Sequence, residues 1–159
     1  MPSERSDVLF FHGFLSRNIF EIVMIQYDTN IRVCYGDTDK GGVVYYGTYP
    51  RYYEVSRTEL LRHYGITYRE IEEKGLVWPV RSLHITYLKP AFYDELLKVR
   101  SIIEEMPTVR FKIKTEIYNS REELINHGEV VLASTDPRTG KVVKTPSWLL
   151  DKLKTIIGE

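Results

Sequence analysis

One long stretch with helical spacing, followed by a run of strands, is the feature that most restricts the fold. From about Thr48 to Tyr64, the residues Tyr49, Tyr52, Tyr53, Ser56, Leu60 and Tyr64 recur every three or four positions. That spacing gathers them on one face of a helix, ready for a sheet to cover. Pro50 falls in the first turn, where its missing N–H costs nothing, and Gly65 suits the C-terminal stop. Thr67 with Glu70 reads as a capping box that opens a second, short helix from Tyr68 to Lys74. Beyond it the apolar period falls to two. Val80, Leu83, Ile85 and Tyr87 form one run, and Leu97, Val99 and Ile103 the next. Val109, Phe111, Ile113, Thr115 and Ile117 alternate with Arg110, Lys112, Lys114 and Glu116, the mark of a half-buried strand. Leu124 to Thr135 is a further strand, closed by the turn Asp136-Pro-Arg-Thr-Gly140. Thr145 then reads as the N-cap of a terminal helix, with Pro146 in its first position and its end near Ile157. One strand, a long helix, four strands and a terminal helix predict an α+β chain with an antiparallel sheet.

The chemistry concentrates just before the long helix. Ile31, Val33 and Tyr35 alternate with Arg32 and Cys34, so a strand is expected there, breaking at Gly36. The chain then passes Asp37, Asp39 and the pair Gly41-Gly42 before it reaches the helix. Glycines allow close backbone approach, and a helix start presents unpaired N–H groups at a positive dipole end. Such a stretch can set a fixed carboxylate beside a site for a developing oxyanion, the arrangement that acyl transfer needs. Asp37 and Asp39, two apart on an extended segment, are expected to point the same way. A carboxylate that merely holds its own turn is the competing reading of either aspartate.

Here the residues resemble a known family. Asp37-Thr-Asp39, Gly41-Gly-Val-Val-Tyr45, Tyr49, Tyr53-Glu54, Arg57-Thr-Glu59 and Leu60-Leu61 are similar to the signature of the 4-hydroxybenzoyl-CoA thioesterase family of hotdog-fold proteins. Pro90-Ala91, Tyr93-Asp94-Glu95, Gly140-Lys141 and Pro146 continue the likeness. The branch it most resembles is that of the acyl-CoA thioesterases associated with the Tol-Pal system. The resemblance implies a hotdog fold: a curved antiparallel sheet of about five strands wrapped around one long central helix. It covers 25–159 as one domain and leaves 1–24 as an N-terminal extension outside the pattern.

What the resemblance implies about roles is specific. Asp39 takes the position of the catalytic carboxylate, as general base or as nucleophile, while Asp37 supports the loop or orients Asp39. The backbone N–H groups of Tyr46 and Gly47 hold the thioester oxygen. Gly42, Val43, Tyr49 and Glu54 lie along the substrate, and Glu54 on the helix is also the reserve carboxylate. Tyr46 departs from the Tol-Pal-associated branch, which carries histidine there, and resembles the aromatic-acyl branch. The basic turn expected to meet the phosphates of coenzyme A is here Glu104-Glu-Met-Pro-Thr-Val109, which leaves Arg110 as the nearest positive charge. The implied activity is hydrolysis of an acyl-CoA, or of an acyl-carrier-protein ester, with no metal or redox cofactor. A hotdog module that binds acyl groups without turnover is the alternative. A hotdog dehydratase would need a histidine beside the carboxylate, and none lies between Asp37 and Tyr49. The family also implies a homo-oligomer, a dimer or a tetramer, with active sites between subunits.

Composition narrows the remaining classes. Net charge is +0 over 159 residues, which gives no bulk attraction for nucleic acid. His12, His63, His84 and His127 lack metal-ligand spacing. Cys34 stands alone, so no disulfide framework is expected, and a reducing cytoplasm suits the chain. No apolar run approaches the ~20 residues that span a bilayer. The row Arg110, Lys112 and Lys114 otherwise reads as a solvated strand face.

Overall fold

The computed structural model describes residues 25–157; the expected N-terminal extension, 1–24, lies outside them. Five strands form one antiparallel sheet: β1 (Ile25–Arg32), β2 (Val80–Tyr87), β3 (Leu96–Ile103), β4 (Arg110–Tyr118) and β5 (Leu124–Ala133). Their spatial order is β1-β3-β4-β5-β2. The long helix α1 (Tyr49–His63) lies against one face, joined by the short α2 (Tyr68–Glu73) and the terminal α3 (Ser147–Ile157). The expected α+β architecture of five strands around one long helix is the one found.

Helix α1 buries Tyr49, Tyr52, Tyr53, Ser56, Arg57, Leu60 and Leu61, the face that the three- and four-residue spacing marks out. Each fully buried large side chain contributes roughly 1.5–3 kcal/mol of hydrophobic stabilisation. Strand β4 buries Phe111, Ile113, Thr115 and Ile117 and exposes Arg110, Lys112 and Lys114, as its alternation predicts. Gly65 ends α1 region with φ +75°, and Gly140 turns at φ +67° with its N–H on the Asp136 carbonyl, 2.8 Å.

The core is divided. One apolar cluster joins Ile25, Leu60, Leu61, Phe111, Ile113, Leu132 and Leu149. The other joins Val33, Val44, Tyr49, Tyr52, Tyr53, Val99, Ile117 and Ile125 under the loop that precedes α1. Between them runs a row of small residues in register, Ser101 opposite Thr115 and Thr115 opposite Gly128. Here α1 comes close enough for Ser56 Oγ to lie 2.7 Å from Ser101 Oγ and to donate to the Val99 carbonyl at 3.0 Å. Gly128 leaves room for Tyr53, whose hydroxyl donates to Asn126 Oδ1 at 2.6 Å. An added Cβ at Gly128 would stand 2.8 Å from that hydroxyl and collide with the His84 carbonyl oxygen.

Three local expectations give way to stronger tertiary partners. The first strand ends at Arg32 rather than running to Tyr35, and Tyr35–Asp37 form a turn of 3-10 helix. Thr67 caps α2 by accepting the Glu70 N–H at 3.2 Å, but the Glu70 carboxylate turns to Lys74 and Lys152 instead of closing a capping box. The Thr145 hydroxyl bonds with Ser134 at 2.9 Å, and the Leu150 N–H reaches the Pro146 carbonyl, so α3 begins one step later than expected. Strand β2 also departs from clean alternation. It is an edge strand, with Val80 and Leu83 exposed and Tyr87 49 % exposed.

Candidate active site

The loop between β1 and α1 is built on Asp37. Its carboxylate accepts from the Cys34 N–H at 2.9 Å, the Tyr52 hydroxyl at 2.9 Å and Arg51 Nη2 at 2.5 Å. Its carbonyl accepts from the Tyr45 N–H at 2.9 Å and the Thr48 hydroxyl at 3.3 Å. Burial alone would raise the Asp37 pKa. The bonds from Cys34, Tyr52 and Arg51, with the guanidinium charge, outweigh burial and hold the carboxyl below its ordinary range. Asp37 is therefore the buried anion of the loop.

Asp39 faces the other way. The 3-10 turn breaks the extended segment, so the two aspartates do not share a side: Asp37 is buried and Asp39 exposed. Asp39 opens a tight turn bracketed by the Thr38–Val44 bridge. Its N–H donates to the Val43 carbonyl at 2.9 Å, and the Gly42 N–H returns to the Asp39 carbonyl at 3.0 Å. Gly42 sits at φ +80°, where a side chain would be strained. The Gly41 N–H donates to Asp39 Oδ1 at 2.7 Å, so the carboxylate does hold its own turn. Its second oxygen has no partner among the described residues.

The helix start lies alongside. A 3-10 turn over Tyr46–Thr48 leads into α1, and its first bond runs from the Thr48 N–H to the Tyr45 carbonyl at 2.8 Å. The N–H groups of Tyr46 and Gly47 precede that bond and have no acceptor within the turn. The Tyr46 carbonyl is held from behind by the Tyr87 hydroxyl at 3.0 Å. Gly47 accommodates the Tyr45 ring, which an added Cβ would meet at 2.5 Å. The Tyr45 hydroxyl is pushed up chiefly by hydrogen bonding with the Tyr46 phenol, and also by the Asp39 charge.

The other predicted residues fall in three places. Gly42 is exposed and Val43 half-buried in the Asp39 turn, so both line the loop. Tyr49 is buried beneath it, edge-on to Tyr52 and Tyr87, and burial raises its hydroxyl. Glu54 is exposed one turn and more along α1, 3.7 Å from Arg57, which in turn donates to the Tyr68 hydroxyl at 3.1 Å. Those contacts tie α1 to α2. Arg110 is brought to none of these residues. Arg32 pairs with Leu96, Ile102 pairs with Lys114, and Arg110 lies four residues further on. At about 3.3 Å per residue, that places it roughly 30 Å along the sheet from the point where β1 enters the loop. There it borders a shallow cavity of about 300 Å³ with Met106 and Lys112. Lys112 and Lys114 pair with Glu105 and Glu104 of the preceding turn. Arg51, Tyr52 and Tyr87 are the supports that sequence reasoning missed as such, since fourteen or more residues separate each from what it holds.

The fold and the sequence are similar to those of known thioesterases. The model of the thioesterase-like superfamily matches residues 33–153. The acyl-CoA thioester hydrolase YbgC of Escherichia coli O6:H1 is 32% identical over 124 residues, which cover 78% of this chain and 92% of that one. The structure of a DHNA-CoA thioesterase from Staphylococcus aureus superposes with a TM-score of 0.77 at 31% identity, over 82% of this chain and 90% of the other. A 4-hydroxybenzoyl CoA thioesterase mutant, solved with 4-hydroxybenzoyl CoA, shares the fold with a TM-score of 0.72 at 19% identity, over 82% and 97% of the two chains. With the sheet, the central helix and the family match in agreement, the chain belongs to the thioesterase-like superfamily of hotdog-fold proteins.

Proposed function

We propose that the chain hydrolyses an acyl-CoA thioester to the free acid and coenzyme A, acting in the cytoplasm without membrane insertion. The reading rests on an exposed Asp39 carboxylate in the loop that ends at the Tyr46–Thr48 turn, where the N–H groups of Tyr46 and Gly47 have no acceptor within the turn. As a general base, Asp39 takes a proton from water as its oxygen attacks the thioester carbon. The two N–H groups hold the tetrahedral oxyanion. Collapse breaks the C–S bond, and the leaving thiolate recovers the proton from Asp39. As a nucleophile, Asp39 would instead form an anhydride that water then opens. Neither route requires a redox step. No helix among the described residues is long and apolar enough to cross a membrane. Short, long and aromatic acyl-CoAs, assayed by release of free thiol, test the function. Binding of an acyl-CoA with no thiol release would establish the acyl-binding alternative. Turnover of acyl-carrier-protein esters alone would move the substrate to that class.

The working unit is proposed to be at least a dimer. Strand β2 offers an unpaired edge beside exposed Val80, Leu83 and Tyr87, and edges of this kind are covered or paired. Light scattering at micromolar concentration is expected to give at least twice the 18.7 kDa of one chain. The roughly 30 Å offset means that Arg110 can meet a substrate at Asp39 only across subunits. Arg110→Ala is then expected to raise KM for a coenzyme A ester severalfold with little change in kcat. An N-acetylcysteamine ester, lacking phosphates, should be indifferent to it. A fully active monomer would overturn both expectations.

A further inference from the structure

Asp37 is ionised, buried and placed outside the reaction sketched above, yet five hydrogen bonds converge on it. They come from three segments. The carboxylate holds the end of β1 through the Cys34 N–H, and the first turns of α1 through Arg51 and Tyr52. The peptide carbonyl of the same residue holds the turn that carries the candidate oxyanion donors, through the Tyr45 N–H and the Thr48 hydroxyl. Asp39 follows two residues later on the same strand of the turn. One residue is therefore bonded both to the turn that carries the Tyr46 and Gly47 N–H groups and, two residues along the chain, to the start of the Asp39 turn. The Thr38–Val44 bridge shapes the Asp39 turn and the Tyr87 hydroxyl holds the Tyr46 carbonyl, but Asp37 ties both to β1 and to α1 in a loop that carries Gly36, Gly41, Gly42 and Gly47.

Resting on the thioesterase reading, we propose that Asp37 is a positioning residue that locks the Asp39 turn and the Tyr46–Gly47 N–H groups into one register, with Arg51 and Tyr52 as its anchors. It touches no reacting atom. Tyr52 is fully buried and Arg51 is half-exposed, so the anchor can be weakened from either side. Reacting groups need to be held within a fraction of an ångström, and small misplacements cost rate rather than substrate affinity.

Asp37→Asn keeps an acceptor oxygen for Cys34 and Tyr52 but releases Arg51. It is expected to lower kcat about tenfold or more while KM stays within threefold. Tyr52→Phe and Arg51→Gln are expected to lower kcat at least threefold. The double variant Asp37→Asn/Arg51→Gln should be no worse than Asp37→Asn alone, as residues of one network are not additive. Ser134→Ala is the control for a merely structural role. Ser134 is buried in a separate network with Trp78 and Thr145, so it should lower the urea midpoint without lowering kcat. Amide exchange supplies a readout independent of turnover, since Asp37→Asn should speed exchange at Tyr45. Unchanged kcat in folded Asp37→Asn, or kcat falling in step with the urea midpoint in Ser134→Ala as well, overturns the proposal. If Asp37→Asn does not fold, wild-type kcat in both Tyr52→Phe and Arg51→Gln does so. A wild-type protein that turns over no thioester refutes the function instead, and exchange at Tyr45 still decides whether the clamp exists.

Discussion

Asp39→Asn is expected to leave the fold intact and to lower kcat by roughly a hundredfold or more, the scale of general acid–base catalysis. The fold should survive because asparagine retains the oxygen that accepts the Gly41 N–H, and because the side chain is exposed. What disappears is the negative charge, and with it the ability either to take a proton from water or to attack the thioester. The matched change on the helix, Glu54→Gln, should be nearly silent. Glu54 is two-thirds exposed and faces Arg57 across 3.7 Å, the weak kind of contact that contributes little to stability. Steady-state rates for both variants on one acyl-CoA separate the two carboxylates. Turnover retained in Asp39→Asn and lost in Glu54→Gln would transfer the catalytic role to the helix.

The largest effect on stability is expected at Gly128. Its missing Cβ is occupied by the Tyr53 hydroxyl and by the backbone of β2. A flexible side chain can yield, but a carbonyl held in a ladder cannot, and β2 pairs with β5 along most of its length. Gly128→Ala must therefore push β2 from β5 or displace Tyr53 from Asn126. Separation of Tyr53 and Asn126 would leave buried polar atoms without partners, and the Asn126 Nδ2 already has none. Overpacking and the lost bond together should cost about 3 kcal/mol, which for a domain of this size lowers Tm by roughly 10 °C. A melting temperature within about 2 °C of wild type would show that the strand pair accommodates the methyl group. Loss of soluble protein would be the stronger form of the expected result.

The elements legible in the sequence are those whose pattern is local. The face of α1 and the alternation of β4 follow directly from residue spacing, because each buried side chain there lies on one side of its own element. Gly65 and Gly140 are legible for the same reason, each serving a turn within a few residues of itself. Features set by distant partners were not legible. Thr145 looks like a cap until Ser134 is beside it, and Glu70 looks like the second half of a capping box until Lys152 arrives. Likewise the spacing of Asp37 and Asp39 suggested one shared direction, but Arg51 and Tyr52 draw Asp37 inward. The residues of the Asp39 turn were identified by resemblance; what the fold adds is the separation of the buried carboxylate from the exposed one. Arg110 shows the opposite case, a charge chosen by its place in the chain that the strand register carries to the far end of the sheet.

The sheet order has a consequence for how the chain is made. Strand β1 has β3 as its sheet neighbour, so Arg32 waits about 64 residues for Leu96. At a synthesis rate of roughly 5–20 residues per second, several seconds pass before that neighbour exists. During the interval α1 has left the ribosome with its tyrosine face uncovered, and the short-range pairs that speed folding are absent. The nascent chain is thus most prone to association between the completion of α1 and the emergence of β3. Pausing translation within that window should lower the yield of folded protein more than pausing after Ile103.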